Sequence, residues 1–355
     1  MTALPALSCI LTAGPSDAAG VAHTLAALMS LEGDLEIMVI DHGARPETRA
    51  LVEKGRDPRL RVLRMAPAPR GAARNRGLAH ARGERICVLA PGDTLAPFAL
   101  PCITGIAADV LFLPGTIRQT DGALVPVAQP VLEALANAEL ERADATDPRF
   151  ATFLRHLALL PGHSALRVVN RTLVRNHALA FAHEAEFGWL YSIAALMNAG
   201  SLAVAGLPCV TLNGTGDRGG DSFAALSDCA QAIHLFERAQ HFHDPELRMA
   251  LIGAVLAGLH TIADTLPDDE RSAFGHGCAL LLARSDPRSR GAFSAPMRAM
   301  FEGQMATLMP TLGPALDFAR SAYALSEPVR QPRQSAMARL VAWGRGQSDG
   351  GSAGG

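Results

Sequence analysis

The segment that most constrains the fold runs from residue 70 to residue 97 and reads RGAARNRGLAHARGERICVLAPGDTLAP. Its first half is rich in helix-favouring residues, and the helix is predicted to open at Gly71. Gly83 stands where a left-handed residue commonly ends a helix. Residues 86–89 form an apolar run that is typical of a buried strand. A Pro-Gly turn with Asp93 follows, so the segment predicts a helix, a strand and one carboxylate just beyond the strand.

Three polar side chains of this segment are predicted to face one cleft. Arg74 and Asn75 lie on the helix, and Asp93 lies in the turn after the strand. In open α/β sheets, ligands bind just beyond the carboxyl ends of the strands. The segment therefore predicts a ligand-binding edge that combines a cationic, an amide and an anionic side chain.

Short apolar strands alternate with amphipathic helices along the first third of the chain. The predicted strands are residues 7–11, 36–40, 60–63, 86–89 and 110–113. Strands separated by helices form a mostly parallel sheet covered on both faces, so the predicted fold class is α/β with a Rossmann-like sheet. The loop after the first strand, GPSDAAG, lacks the tight Gly-x-Gly-x-x-Gly turn, which argues against an NAD-dependent enzyme.

Composition and charge exclude several classes of protein. The formal net charge is -2, which gives no general reason to bind nucleic acid. The six cysteines form no Cys-x-x-Cys pair and are interpreted as buried, reduced side chains. The sequence has no basic leader of the signal-peptide type, and no apolar run is expected to reach the ~20 residues of a spanning helix. These features predict a cytoplasmic protein.

Four motifs occur in the order and spacing of a known enzyme family. They are LSCILTAG, EIMVIDHGARPET, the segment of residues 70–93 and HEAEFGWLYSIAALMNAG. Together they cover residues 5–215, and in this arrangement the chain resembles the family 2 glycosyltransferases of the GT-A fold. The resemblance implies a nucleotide-diphospho-sugar transferase fold followed by a C-terminal helical region.

The resemblance and the composition together divide the chain into parts. Residues 1–215 are predicted to form the GT-A domain, with a nucleotide-binding half at 1–118 and an acceptor half at 119–215. Residues 216–327 are predicted to be a helical extension. Residues 328–355 are predicted to be a disordered tail, first basic and then rich in Gly and Ser.

The tail contains a basic amphipathic segment at residues 330–345. Arginines alternate there with apolar side chains, a pattern that suits the anionic inner face of a membrane. Two interpretations stay open: a linker without a role of its own, or a peripheral membrane contact.

The resemblance also implies roles for individual residues. The implied donor is a nucleotide-sugar, UDP-linked, and the implied acceptor is a glycan or a lipid-linked sugar. A Mg²⁺ or Mn²⁺ ion would bridge the diphosphate, and a carboxylate would act as general base. The implied nucleotide-binding residues are Thr12, Asp41, Arg70, Arg74 and Asn75, although Asn75 also suits a role in supporting a loop. Asp93 is implied as the metal ligand, and Glu184 and Glu186 as candidates for the base.

Six positions depart from the family's pattern, and two of them, Leu11 and Gly14, replace the family's Pro and Asn in the first turn. Position 42 is His where the family usually has Asp, and Ala90 and Gly92 stand where carboxylates are expected. Ala185 stands at the position of the base. Because hard cations need several oxygen ligands, a single remaining carboxylate, Asp93, weakens the metal site and suits a turn cap as well. Two interpretations stay open: an active inverting glycosyltransferase of surface polysaccharide synthesis, or a non-catalytic relative that binds nucleotide or acts as a scaffold.

Overall fold

The computed structural model describes residues 4–127, 129–184, 188–214, 223–263, 266–286 and 288. It shows a mixed α/β protein with one large, mostly parallel sheet, a smaller second sheet and helices on the C-terminal side of the sequence. The predicted α/β fold class, of the GT-A kind, is confirmed.

The bounds of the elements follow in chain order. The strands are β1 (Leu7–Ala13), β2 (Leu35–Asp41), β3 (Leu60–Arg64), β4 (Arg85–Leu89), β5 (Thr94–Leu95), β6 (Val110–Phe112), β7 (Gly115–Arg118), β8 (Leu124–Pro126), β9 (Arg142–Asp144), β10 (Arg167–Asn170), β11 (Ser201–Val204) and β12 (Val210–Asn213). The helices are α1 (Ala18–Ser30), α2 (Pro46–Lys54), α3 (Arg70–His80), α4 (Ala99–Gly105), α5 (Gln129–Asn137), α6 (Phe150–Ala158), α7 (Arg171–Asn176), α8 (Trp189–Asn198), α9 (Ala224–Glu237), α10 (Pro245–Ala263) and α11 (Asp268–Arg284).

The large sheet has eight strands in the order β3-β2-β1-β4-β10-β6-β11-β9. Strands β3, β2, β1 and β4 run parallel, and β6 and β11 are parallel to each other. Every residue of β1 and β2 is buried, as expected for strands covered on both faces. Strand β10 runs antiparallel between β4 and β6, so the sheet is mixed at its centre.

The sequence did not predict strand β9 or the second sheet. That sheet has four strands in the order β5-β12-β7-β8. Strand β9 has three residues, and two of them are charged, so it carries no apolar run. Such short pairings are determined by the tertiary fold and leave no periodic pattern in the sequence.

Gly83 does not have the predicted conformation. Helix α3 ends at an extended Ala81, and Gly83 is not among the glycines with positive φ. The N–H of Gly83 instead donates to Ser8 Oγ at 2.8 Å. A Cβ at Gly83 would lie 2.5 Å from the backbone nitrogen of Ser8. The prediction of a left-handed cap is therefore wrong, because close approach to β1 is what requires glycine at position 83.

The C-terminal helices join the rest of the molecule around Trp189, the first residue of α8. Its indole is buried, and the backbone at Gly162 and Gly258 lies against it. A Cβ at Gly258 of α10 would lie 2.8 Å from Trp189 Cζ2. Helix α9 packs on α8 and α10 packs on α6, so a single hydrophobic core continues from the sheet into these helices.

Helix α10 meets the length and composition criteria of a membrane-spanning helix, which the sequence analysis did not anticipate. In the structure, 76% of its most apolar window is buried. A helix in the core of a globular protein is buried in this way and can also be long and apolar. Length and composition alone therefore do not assign α10 to a membrane.

Candidate functional site

The carboxyl ends of β1, β2 and β4 meet at one edge of the large sheet. In the strand register, Ala13 is the partner of Asp41, and Leu11 is the partner of Leu89. This edge of an open α/β sheet is where ligands bind. The structure brings four of the predicted site residues to it, namely Thr12, Asp41, Arg70 and Asp93.

Arg70, the first residue of α3, reaches back across this edge to β1. Its guanidinium donates to Thr12 Oγ1 and to both carboxylate oxygens of Asp17, each at 3.2 Å. Asp17 also accepts the N–H of Gly14 at 2.7 Å. The Arg70 side chain is 12% exposed. The structure thus links the predicted Thr12 and Arg70, and it adds Asp17, which the sequence analysis did not include in the site.

Asp41 is held by its own turn and by α2. Its Oδ2 accepts from Arg49 Nε at 2.7 Å, and its Oδ1 accepts the N–H groups of Gly43 and Ala44 at 3.1 and 2.9 Å. Burial raises the pKa of the Asp41 carboxyl, but these hydrogen bonds more than offset it, so the pKa lies below its usual value. Asp41 lines a small surface pocket together with Arg49, Thr48 and Arg64. Its predicted contact with the nucleoside stays a prediction.

His42 follows Asp41 and is 5% exposed. Its Nδ1 lies 2.7 Å from the carbonyl oxygen of Ala68. Among the described residues, nothing provides a hydrogen-bond partner for its Nε2. A buried polar atom left without a partner costs about 1–3 kcal/mol, so this nitrogen is a candidate to contact a ligand.

Asp93 lies in a turn that two other segments, α1 and β12, hold in place. Its Oδ2 accepts the N–H of Ala90 at 2.9 Å, and its Oδ1 accepts the N–H of Asn213 at 2.9 Å. Its carbonyl oxygen accepts from Thr24 Oγ1 on α1 at 2.7 Å. The carboxylate therefore caps its own turn and joins it to β12.

The donor set at Asp93 does not fit a divalent cation. The resemblance to the family 2 glycosyltransferases implies such an ion, which needs several oxygen ligands. Both oxygens of the Asp93 carboxylate already accept amide hydrogens. Within the part of the chain that the structure describes, no group of three or more His, Cys, Asp or Glu side chains could hold a metal. Among the described residues, no cluster of protein ligands therefore supports the predicted Mg²⁺ or Mn²⁺ site at Asp93.

Arg74 lies in the interior behind the edge. Its guanidinium carbon is 5.1 Å from the centre of the Phe181 ring, and Phe181 stacks on Tyr191 with ring centres 4.4 Å apart. The charge of Arg74 also acts on Asp228 of α9. At 2% exposure, Arg74 supports the site from behind, and a direct nucleotide contact would require a rearrangement.

Asp228 caps α8 from a different helix. Its carboxylate accepts the N–H groups of Trp189 and Leu190 at 3.0 and 3.1 Å. Burial raises the pKa of the Asp228 carboxyl, opposed by these two hydrogen bonds and by the charge of Arg74. Because Asp228 lies 39 residues from Trp189 in sequence, no local pattern could have predicted this cap.

Asn75 supports the loop that precedes α8. Its amide nitrogen donates to the carbonyl of Phe181 at 2.9 Å, and its amide oxygen accepts the N–H of Phe181 at 2.8 Å. At the start of α3, the helix that carries Asn75, a Cβ on Gly71 would collide with the carbonyl oxygen of Ala182. The loop-supporting role considered for Asn75 agrees with this geometry.

The candidates for the base follow this loop. Glu184 is 62% exposed, and its Oε1 lies 3.2 Å from Nδ1 of His183. The carbonyl of His183 accepts the N–H of Ala72 at 3.2 Å, so the pair lies beside the first turn of α3. The second candidate, Glu186, lies outside the described residues, as does Ala185.

A family model for glycosyl transferase family 2 matches residues 16–101. This segment contains α1, β2, α3, β4 and the turn with Asp93. The match covers about a quarter of the chain and relates this segment to the family 2 glycosyltransferases. The matched segment and the fold support a transferase that uses a nucleotide-sugar.

Solved structures of S. aureus TarS have a fold similar to that of this chain. TarS 1-349 in complex with UDP-GlcNAc gives a TM-score of 0.62 at 16% identity, over 92% of this chain and 91% of that chain. The same protein with UDP gives a TM-score of 0.58 at 15% identity, over 92% of each chain. A longer TarS structure matches over 92% of this chain and 56% of that chain, with a TM-score of 0.59 at 16% identity. No curated protein sequence matches significantly.

Proposed function

We propose that the protein is an active inverting glycosyltransferase. It moves a sugar from a UDP-linked donor to a glycan or lipid-linked acceptor in surface polysaccharide synthesis. The observation that carries the proposal is the polar edge itself: Thr12, Asp17, Arg70 and His42 converge at the carboxyl ends of the strands, next to or within the segment that the family model matches. The donor chemistry is supported by TarS, whose solved structures hold UDP-GlcNAc or UDP on a similar fold.

Arg70 is the cation best placed for the phosphates of the donor. It begins α3, where the helix dipole also favours negative charge. A guanidinium carries five N–H donors, so it can hold Asp17 and contact a phosphate oxygen together. Arg70 and the N-terminus of α3 together balance part of the negative charge of the diphosphate, at an edge that offers few carboxylates to hold a metal ion.

The reaction is a single displacement. The acceptor oxygen forms a bond to the anomeric carbon, the bond from that carbon to the diphosphate oxygen breaks, and the diphosphate leaves with the electron pair. The acceptor's proton passes to a general base. Glu184 is the described candidate, and it is placed beside the first turn of α3 by the loop that Asn75 supports.

A second candidate function is nucleotide binding without catalysis. The observation that favours it is the Asp93 turn, where both carboxylate oxygens accept amide hydrogens and Ala90 and Gly92 add no ligand. Such a protein would keep the nucleotide edge and act as a scaffold.

Titration calorimetry with UDP and UDP-sugars tests donor binding. We expect micromolar to millimolar binding by the native protein and a loss of about tenfold in Arg70→Gln, because a charge-assisted hydrogen bond to phosphate is removed. Arg76→Gln, an exposed arginine on the same helix, is the matched control and should bind as the native chain does. Because Asp93 does not fit a metal ligand, EDTA should change UDP affinity less than Arg70→Gln does. An absence of nucleotide binding at millimolar concentration would exclude both candidate functions.

Donor turnover separates the active enzyme from the scaffold. With a UDP-sugar that binds, release of UDP should fall by about 10²-fold or more in the Glu variant that removes the base, with donor affinity unchanged. The variants are Glu184→Gln and Glu186→Gln. If both turn over at the native rate, neither glutamate is the base. If the native protein binds UDP-sugars and releases no UDP with any acceptor preparation, the scaffold function is favoured.

We also place the reaction on the cytoplasmic side of a membrane. The support is the basic amphipathic pattern of residues 330–345, which lie outside the described residues. Co-sedimentation with anionic vesicles, compared between the full chain and one ending at residue 327, tests this contact.

A further inference from the structure

The turn of residues 90–93 is closed by hydrogen bonds to protein groups. The N–H of Gly92 donates to Thr24 Oγ1 of α1 at 2.8 Å. The N–H of Asp93 donates to the carbonyl of Ala90 at 3.0 Å, and both oxygens of the Asp93 carboxylate accept amide hydrogens. The polar groups of this turn are therefore engaged within the protein, and the turn is a rigid support at the sheet edge.

The side chain of Asn213 fills the space beside Gly92. Gly92 has a φ of +96°, a backbone conformation that favours glycine. A Cβ at Gly92 would lie 2.7 Å from both Cβ and Cγ of Asn213. A carboxylate at position 92 would therefore have neither the backbone conformation nor the space that it needs. Asn213 itself is partly exposed, so a ligand at the edge can reach its carboxamide.

Arg118 lies next to Asn213 at the same edge. The two residues end β7 and β12, which run parallel, and they are partners in the register. Partner residues on neighbouring strands point to the same face of a sheet, about 5 Å apart. Arg118 is exposed, and no carboxylate in the part of the chain that the structure describes forms an ion pair with it. The small sheet thus places a cation and an amide beside the Asp93 turn.

We propose that Arg118 and Asn213 bind the diphosphate of the donor in place of a divalent cation, so that donor binding does not depend on metal. The inference rests on the proposed function, which places the nucleotide-sugar at this edge. It replaces the Mg²⁺ or Mn²⁺ ion that the sequence analysis predicted at Asp93 with two side chains of the small sheet.

The two side chains have the chemistry that a diphosphate needs. The guanidinium of Arg118 is permanently charged, and its planar set of N–H donors fits two phosphate oxygens at once. A carboxamide nitrogen carries two hydrogens, so Asn213 can keep a contact within the protein and also donate to a phosphate oxygen. Arg118 and Arg70 together supply two positive charges, which equals the charge of a divalent cation.

Titration calorimetry with UDP in EDTA and in MnCl₂ tests the role of Arg118. The native protein should bind UDP with affinities that agree within about twofold in the two conditions. Arg118→Gln should lose about tenfold in affinity in EDTA, because a charge-assisted hydrogen bond to phosphate is removed. Arg76→Gln, an exposed arginine of α3, is the matched control and should bind UDP as the native chain does.

The nearly isosteric Asn213→Asp tests the carboxamide. Without metal, the new carboxylate repels the diphosphate, so affinity for UDP in EDTA should fall by about tenfold or more. Carboxylate oxygens are the ligands that divalent cations of this kind prefer, so MnCl₂ should restore much of the lost affinity. Asn213→Ser, which removes the amide and adds no charge, should weaken binding in EDTA without gaining this dependence on metal.

The outcomes separate this inference from the proposed function. If MnCl₂ tightens UDP binding to the native protein by about tenfold or more, a cation is required and the inference is overturned, while the transferase proposal stands. If Arg118→Gln or Asn213→Asp, folded by circular dichroism, binds UDP in EDTA as the native chain does, that side chain does not contact the diphosphate and the inference is also overturned. If the native protein binds no UDP at millimolar concentration in either condition, the proposed function fails and this inference fails with it.

Discussion

Glu36 connects three segments at the amino end of β2. Its carboxylate accepts from Ser8 Oγ at 2.5 Å, from the N–H and Nε of Arg82 at 2.9 Å each, and from Arg61. Burial raises the pKa of the Glu36 carboxyl, but these hydrogen bonds outweigh burial, and the pKa lies below its usual value. The folded state therefore favours the ionised form of this side chain.

Replacing Glu36 by Gln should remove a contribution to stability that depends on pH in a defined direction. A lowered native pKa contributes stability above the unfolded pKa of about 4.3, and this contribution is lost as pH falls through the native value. We expect Glu36→Gln to lower the free energy of unfolding by about 1–3 kcal/mol at pH 7, with the difference shrinking towards pH 3. Urea unfolding at both pH values measures it, with the exposed Glu32→Gln as control. A difference that grows in acid would contradict this account.

Single residues also show what the sequence could and could not predict about the site. Thr12, Asp41 and Asp93 were placed correctly at the sheet edge because each stands at or just past the end of an apolar strand. The sequence could not predict where the carboxylates point, because Arg49 holds Asp41 and the N–H of Asn213 holds Asp93. The contact of His42 Nδ1 with the carbonyl of Ala68, 26 residues away, could be found only from the structure.

At the scale of elements, α8 depends on a residue from α9 for its first turn. Asp228 supplies the acceptors for two N–H groups that the helix itself leaves unpaired, and it lies near the charge of Arg74. The loop that carries Glu184 leads into this same helix terminus. The C-terminal helices thereby influence the geometry of α8 and of the loop before it.

Replacing Asp228 by Ala should destabilise the protein by about 2–4 kcal/mol, because two buried amides lose their acceptor and Arg74 loses a nearby charge. Chemical unfolding measures the change in free energy. Ser227→Ala, at an exposed neighbouring position on α9, should change it by less than about 0.5 kcal/mol. Equal effects of the two substitutions would show that Asp228 does not cap α8.

The helices and strands that carry a clear apolar pattern were predictable from the sequence, and those without one were not. Strands β1 to β4 and helix α3 were predicted within a few residues because their burial leaves a periodic or continuous pattern. Gly83 was assigned to a helix cap because sequence spacing cannot distinguish a positive φ from a close approach to a neighbouring strand. Strand β9 and the small sheet were missed because their pairing is determined by distant partners.

At the scale of the whole molecule, the sheet and the C-terminal helices share one hydrophobic core. Apolar residues of α9 and α10 are buried against α8 and α6. The division at residue 215 predicted from sequence therefore separates segments that differ in pattern and still pack together.

A chain ending at residue 214 should lose stability because it exposes the apolar faces of α6 and α8. We expect a single unfolding transition in scanning calorimetry for the full chain, and a midpoint lower by about 10 °C or more, or loss of solubility, for the shortened chain. A chain ending at residue 327 is the control and should unfold at the native midpoint. An unchanged midpoint for the chain ending at residue 214 would show that the first domain is independent.

Trp189 gives this junction an optical signal. The sequence has two tryptophans, Trp189 and Trp343. Replacing Trp343 by Phe leaves one indole, packed against Gly162 of the acceptor half and Gly258 of α10. The emission wavelength of Trp189 would report the entry of water between α8 and α10 during substrate binding or unfolding, without a dye or an added label.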